Sequence, residues 1–180
     1  MHSFISEQWL PYPVETVFSF FSDPANLPPL MPEWQKARVD HVLLVAPPSP
    51  PEAIAGSPRS AAAGARSQIK LSFRPFPFAP LRLSWLAEIQ DFKWNASFSD
   101  YQMKGPFAYW KHRHSVQAET GTDADGQEIQ GTRLVDEVSY KAPLGPLGVI
   151  ANALFLRAQL RATFAFRHSR TLDLLSRRAR

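Results

Sequence analysis

The sequence predicts an α+β fold: a curved, seven-stranded antiparallel sheet wrapped around one long C-terminal helix, with two short helices after the first strand. Three observations predict it. Residues 66–141 are a succession of segments in which apolar and polar side chains alternate, broken by Gly, Pro and Asp, as half-buried strands and their turns are. From residue 147 to residue 176 there is no proline and no glycine after Gly148, enough for about eight helical turns. Near the start, Pro13 opens a stretch with Val14, Val17, Phe18 and Phe21 at helical spacing. A sheet with one apolar face needs a long cover, and the terminal helix is the only candidate.

The elements follow in order. Residues 4–10 alternate and end at Pro11, which makes a first strand. The Pro13 helix stops at Ser22-Asp23-Pro24, which caps a second short helix ending by Pro28-Pro29 and leaves Leu27, Leu30 and Met31 to plug one end of the fold. Residues 34–45 read as the second strand. The segment 46–65, dominated by Pro, Ala and Gly, cannot supply a core and reads as a flexible insertion with no catalytic role that could act as a lid over a pocket mouth. The third strand starts at Arg66, with Ile69, Leu71 and Phe73 on one face; residues 75–80 then turn, with their phenylalanines at the rim of a cavity. In the fourth, Leu81, Leu83, Trp85, Ala87 and Ile89 share a face. A fifth strand, 97–104, turns at Gly105-Pro106 into a sixth. Residues 120–131 read as an exposed hairpin loop, and 133–141 as the seventh strand, with Leu134, Asp136, Val138 and Tyr140 on one face. On the helix, Val149, Ala153, Leu156, Leu160, Phe164 and Leu174 cluster on one side, with Arg167 in the middle of that arc and Phe155 and Phe166 nearly opposite. A single domain over residues 1–176 is expected, followed by a basic tail, 177–180.

Composition narrows the function classes. Hydrophobic residues at 44% and charged residues at 20% describe an ordinary globular chain. With no cysteine, disulfides, thiolate catalysis and zinc–sulfur sites are excluded. The opening residues lack the basic and long apolar regions of a signal peptide, so a cytoplasmic address is expected. The net charge of +4 is concentrated at the end, where residues 157–180 hold seven arginines against one acid, Asp173. A nucleic-acid binder would spread its basic footprint over a face, so nucleic acid is not an expected partner. The arginine tail reads as a solvated end, or as a transient contact with an anionic membrane surface. No phosphate loop, Gly-x-Ser-x-Gly elbow or dinucleotide fingerprint is present.

Residues 105–116 organise the candidate site. In a strand, Ala108, Trp110, His112, His114 and Val116 share one face, while Lys111 and Arg113 mark the other as wet. That places a tryptophan and two imidazoles towards the interior; Ser115, on the opposite face, is not placed for a serine triad. If Gly105 is central in a three-residue turn, Asp100 and Gln102 join the inner face; a two-residue turn would put them outside. Asp136 and Tyr140 can lie beside the histidines, and Arg167 approaches from the helix. Asp136 paired with His112 or His114 would form an acid–base unit, with Arg167 holding an enolate or carboxylate. The simpler reading is a satisfied buried network in which Arg167 is the counter-ion of Asp136 or Glu137. His112, His114 and Asp136 also offer a metal-ligand set. Two histidines at alternate strand positions are a weak signature, however, and neither metal nor cofactor is expected.

The helix at Pro13-Val14-Glu15-Thr16-Val17-Phe18, the strand from Gly105 to His114, the Pro143-Leu144-Gly145-Pro146-Leu147-Gly148 lead into the helix, and Phe166-Arg167-His168 together resemble the START-like, helix-grip superfamily known as SRPBCC. Within it, the chain is similar to the bacterial polyketide cyclase/dehydrase-like proteins, over nearly its whole length except 46–65. The resemblance implies a hydrophobic cavity between sheet and helix, without an agreed catalytic set. The expected lining comprises Phe73, Trp85, Asp100, Gln102, Trp110, His112, His114, Tyr140, Leu156, Leu160, Phe164 and Arg167. The expected function is binding or transport of a lipid, quinone or polyketide-like molecule. The alternative is a cyclase or dehydratase using His112, His114, Asp136 and Arg167.

Overall fold

The computed structural model describes residues 1–50, 62–123, 125–143, 145 and 155–178. Its element order is β1 (His2–Leu10), α1 (Val14–Ser22), three 3-10 turns (Pro24–Asn26, Pro28–Leu30, Glu33–Gln35), β2 (Arg38–Leu43), β3 (Gln68–Phe73), β4 (Leu83–Lys93), β5 (Ser97–Lys104), β6 (Tyr109–Thr122), β7 (Glu128–Lys141) and α2 (Arg157–Arg178). All seven strands form one antiparallel sheet in the order β1-β7-β6-β5-β4-β3-β2. Strands β2 to β7 are a meander, and β1 closes on β7 with His2 opposite Tyr140 and Leu10 opposite Thr132. Register shifts in β2 and at two places in β4 add the local bends of bulges, which curl the sheet towards α2. This is the expected helix-grip architecture.

The short elements differ from expectation in instructive ways. Pro13 sits one position earlier than expected, at the N-cap, where its carbonyl accepts from Thr16 and Val17. The second short helix is only 3-10 turns. Prolines at 24, 28, 29 and 32 remove the donors that an α-helical ladder needs, and the Asp23 side chain caps the first turn through the Ala25 N–H. Trp34, expected in β2, belongs to the third turn, which ends at Lys36 in a left-handed conformation (φ 47°), so β2 is only six residues long. By contrast β6 and β7 run through most of the expected 120–131 loop, pairing as far as Thr122 with Glu128. The remaining loop is held by Asp123, whose carboxylate accepts from the Asp125 and Gln127 N–H groups.

Two glycines in that ladder make room for one side chain. Trp9 lies across β6 and β7 and donates its indole N–H to the Glu119 carbonyl, 3.1 Å away. A Cβ on Gly121 would collide with the indole, and one on Gly131 would fall 2.5 Å from the Leu10 carbonyl oxygen and 2.6 Å from the ring. Gly121 and Gly131 are therefore packing residues, not turn residues.

The helix presents Leu160, Phe164, Arg167, Thr171 and Leu175 to the sheet, all buried. Leu175 therefore replaces Leu174, which is only partly buried, as the last core residue. The helix continues through Arg178, whose guanidinium donates to Asn26 at 2.7 Å, while Arg177 pairs with Asp173 at 2.9 Å. Val149 and Ala153 lie outside the described residues, as do the start of the expected helix and the last two arginine-tail positions. The same holds for 51–61, and with it the proposed lid. The flanks of that insertion are tied in: Ala63 is buried and donates to the Ser22 carbonyl, and Trp94 donates to the Pro48 carbonyl. No helix among the described residues is long and apolar enough to cross a membrane.

Candidate functional site

Between the concave sheet and α2 lies a cavity of about 440 Å³. Its walls are apolar. Phe73, Trp85 and Trp110 come from the sheet; Leu156, Leu160 and Phe164 come from the helical segment. Leu27, Leu30 and Met31 close one end, as their spacing after α1 predicts. Trp85 and Trp110 meet edge to face at 5.0 Å, and Phe107 packs against both. At the rim, Phe76 and Phe155 remain half exposed; Phe78, expected there too, is almost fully exposed and does not line the cavity.

The polar side chains Asp100, His112, His114 and Arg167 face this space together. Register brings the first three into one place. Asp100 is directly opposite His112 on the neighbouring strand, and His114 is opposite Asp136. The turn that sets this register is centred on Pro106, one residue later than the Gly105-centred turn considered above. The parity is unchanged, so Asp100 still faces inward, but every partner moves by two residues. Gln102 is consumed by that turn: its amide donates to the Phe107 carbonyl at 2.7 Å and its oxygen accepts from the Phe107 N–H at 3.2 Å. It does not line the cavity.

Asp136 is placed behind the imidazoles, not in the cavity. Fully buried, it accepts through Oδ1 from His112 Nε2 at 3.0 Å and from His114 Nδ1 at 2.6 Å. Arg167 Nη2 stands 3.8 Å from the same oxygen, so the expected counter-ion relation holds for Asp136; Glu137 is on the exposed face. The guanidinium is sandwiched by Phe21 and Phe164, with its carbon 4.9 and 5.6 Å from their ring centroids. Arg167 Nε and Asp136 Oδ2 are buried and find no hydrogen-bond partner among the described residues. Tyr140, also fully buried, packs against Phe107 and Trp110 behind the wall. His168 joins Ser6 on β1 instead of this cluster.

The charges are unequally distributed. Burial pushes the Asp136 carboxyl up, but Arg167, His114 and the two imidazole hydrogen bonds outweigh it and hold it well below the usual carboxylate range. Asp100 is likewise lowered, burial being overcome by His114 and His112. Burial and the neighbouring His114 charge push His112 down, whereas Asp136 and Asp100 push His114 up despite its burial. Adjacent imidazoles, with ring centroids 3.9 Å apart, therefore differ in proton affinity. The outward nitrogens, His112 Nδ1 and His114 Nε2, both face Asp100 Oδ2, at 3.4 and 3.6 Å. Asp100, not Asp136, is thus the carboxylate that shares the open side with both histidines.

Phe21, Ile89 and Phe107 also line the cavity, and sequence reasoning did not single them out. Phe21 carried a signal, since it lies on the apolar arc of α1, but helical periodicity does not distinguish a core position from a cavity wall.

No protein-family model matches this sequence, and no curated protein matches it. Solved structures do share its fold. TTHA0849 of Thermus thermophilus is 17% identical, covering 96% of this chain and 99% of its own with a TM-score of 0.58. CV1439 of Chromobacterium violaceum is 12% identical, covering 96% of each chain with a TM-score of 0.59. Ara h 8.0201 is 13% identical, covering 96% of this chain and 98% of its own with a TM-score of 0.52. The helix-grip fold is shared across these proteins.

Proposed function

We propose that this protein binds or carries a hydrophobic small molecule in the cavity between the sheet and α2, as a START-like (SRPBCC) protein of the bacterial cyclase/dehydrase-like kind. One observation carries the reading: an apolar-walled space of about 440 Å³ whose inward polar groups include the Asp100, His112, His114 and Arg167 cluster. Sites for small molecules are of this size and kind, apolar over most of their area with a few convergent polar groups that orient the ligand. The ligand class is a lipid, quinone or polyketide-like molecule, its apolar body against Trp85, Trp110 and Phe164 and its oxygen functions on the polar cluster. In this reading the protein works in the cytoplasm, has no nucleic-acid partner, and meets membrane surfaces transiently through its C-terminal arginines. Native mass spectrometry of freshly purified protein, followed by solvent extraction, tests it. A stoichiometric apolar adduct is expected; a clean mass together with no saturable change in tryptophan fluorescence on titrating fatty acids, quinones and aromatic polyketides would refute it.

The second reading is a cyclase- or dehydratase-type enzyme, favoured by the two adjacent imidazoles of unlike proton affinity. One would accept a proton and the other donate it, while Arg167 stabilises developing negative charge. Once a ligand is in hand, His112→Asn and His114→Asn separate the readings: a carrier keeps its binding, and an enzyme keeps binding while turnover disappears.

A further inference from the structure

We propose that Asp100, His112 and His114 form a mononuclear site for a divalent first-row transition-metal ion on the wall of the cavity. The site does not depend on the cavity's organic ligand. It rests on how five polar groups are aimed.

Asp136 decides which imidazole nitrogens are free. Its Oδ1 takes one hydrogen bond from each ring, from His112 Nε2 at 3.0 Å and His114 Nδ1 at 2.6 Å. Those nitrogens are the donors, so in the neutral rings the lone pairs are on His112 Nδ1 and His114 Nε2. Both lone pairs converge on Asp100 Oδ2, and the three atoms lie within 4.8 Å of one another. Arg167 Nη2, a donor only, lies 3.4 Å from the same His114 Nδ1; Asp136 Oδ1, at 2.6 Å, is the nearer partner and, as a carboxylate, takes the Nδ1 proton.

The distances separate holding contacts from ligand contacts. The inner contacts to Asp136 have hydrogen-bond lengths; the outer ones, 3.4 and 3.6 Å to Asp100, are longer than hydrogen bonds. They match a coordination polyhedron instead. Zn–N and Zn–O bonds are about 2.0–2.2 Å, and the edge of a tetrahedron with such bonds is about 3.3–3.6 Å. Asp100 Oδ2, at that spacing from two imidazole nitrogens, is repelled by both of their lone pairs unless a cation stands between them. Protons can serve in part, but a divalent ion satisfies all three at once.

The surroundings have the features of a functional metal site. Ligand imidazoles commonly donate their second N–H to a carboxylate, which fixes ring and tautomer, and here a single buried carboxylate does so for both. Asp100, His112 and His114 line the cavity whereas Asp136 does not, so the remaining coordination position opens towards the apolar space. Three protein ligands and an open position are the arrangement of catalytic, not structural, metal centres. The charges agree as well. Two carboxylates outnumber the one guanidinium, and a divalent ion brings the cluster to +1, which suits a hydroxide or a ligand carboxylate in the open position.

Zinc, which is redox-silent, is the probe. EDTA-treated protein titrated with Zn²⁺ by calorimetry is expected to bind one ion per chain and to gain thermal stability in proportion. Asp100→Asn, His112→Gln and His114→Gln are each expected to weaken binding by more than the about 10–100-fold that losing an outer-shell partner costs, and Asp136→Asn by about that amount. His41→Ala, on the exposed part of β2, leaves binding unchanged. On wild-type protein, ¹⁵N imidazole NMR shows Zn²⁺ shifting His112 Nδ1 and His114 Nε2, with the opposite nitrogens protonated; this measurement needs no variant to fold. Failure of saturable one-to-one binding overturns the site. So does binding that survives the three ligand substitutions, or a zinc shift on His112 Nε2 or His114 Nδ1.

Discussion

Replacing Asp136 by Asn keeps the side-chain volume and removes one charge from a fully buried position. Asp136 Oδ1 accepts from both imidazoles and stands 3.8 Å from Arg167, which is itself 8% exposed. Without the carboxylate, Arg167 and the charged form of His114 lose their shared partner and are left beside one another. Removing one member of a buried ion pair costs about 3–5 kcal/mol. Domains are stable by only about 5–15 kcal/mol, so this is a large share of the whole. At about 2–4 °C per kcal/mol for a chain of this size, Tm falls by about 6–20 °C. The assay is urea unfolding of EDTA-treated protein, followed by tryptophan fluorescence, on wild type, Asp136→Asn, Arg167→Met and the double variant. Arg167→Met costs less than Asp136→Asn, because Asp136 keeps both imidazoles and the methionine remains between Phe21 and Phe164. The double variant loses less than the sum of the singles, because no uncompensated guanidinium remains. A loss below about 1 kcal/mol for Asp136→Asn at unchanged m-value, or strict additivity in the double variant, would refute the reasoning.

The same carboxyl sets an acid limb. Held well below its ordinary value of 3.8 in the folded state, Asp136 contributes stability that is present above 3.8 and is lost as pH falls towards its folded pKa. The urea midpoints of metal-free wild type and Asp136→Asn therefore converge below about pH 4, and a gap that stays constant into strong acid contradicts this. Leu175→Ala, at a position 1% exposed, opens a void beneath the end of α2 and costs about 2–5 kcal/mol by the same titration. A cost as small as that of the 41% exposed Leu172 would mean the helix rotates differently. Gly131→Ala drives a methyl group against the Leu10 carbonyl and the Trp9 ring and costs about 1–3 kcal/mol; Trp9→Leu relieves only the ring contact, so it restores part of the loss. Full restoration would place the strain in the indole alone.

Much of this molecule was legible from one dimension because strands and helices carry their burial as a period. The two-residue alternation through Trp110, His112, His114 and Val116 put the imidazoles on the inner face without any knowledge of partners, and all four are buried. The proline- and glycine-free C-terminal stretch announced the covering helix, with Arg167 on its apolar side. These are properties of the backbone's own geometry, and neighbours do not alter them.

Pairing and rotation were decided elsewhere. Alternation fixes a face but is blind to a shift of two residues, so a turn centred on Pro106 instead of Gly105 leaves Asp100 facing inward while moving its partner from Trp110 to His112. The same blindness hid the roles of the carboxylates. Asp100 and Asp136 both lie on inward-facing positions, yet only the register of three strands puts one on the open side of the imidazoles and the other behind them. The helix was open to a similar drift: a repeat of 3.6 residues over more than twenty positions does not say whether Leu174 or Leu175 closes the core, and the sheet beneath selects Leu175. The amino-acid sequence by itself determined which side chains turn inward, because that is local. Which of them meet, and the cavity they leave, arose only when curvature, turn register and helix rotation were settled together, because those depend on contacts between residues far apart in the chain.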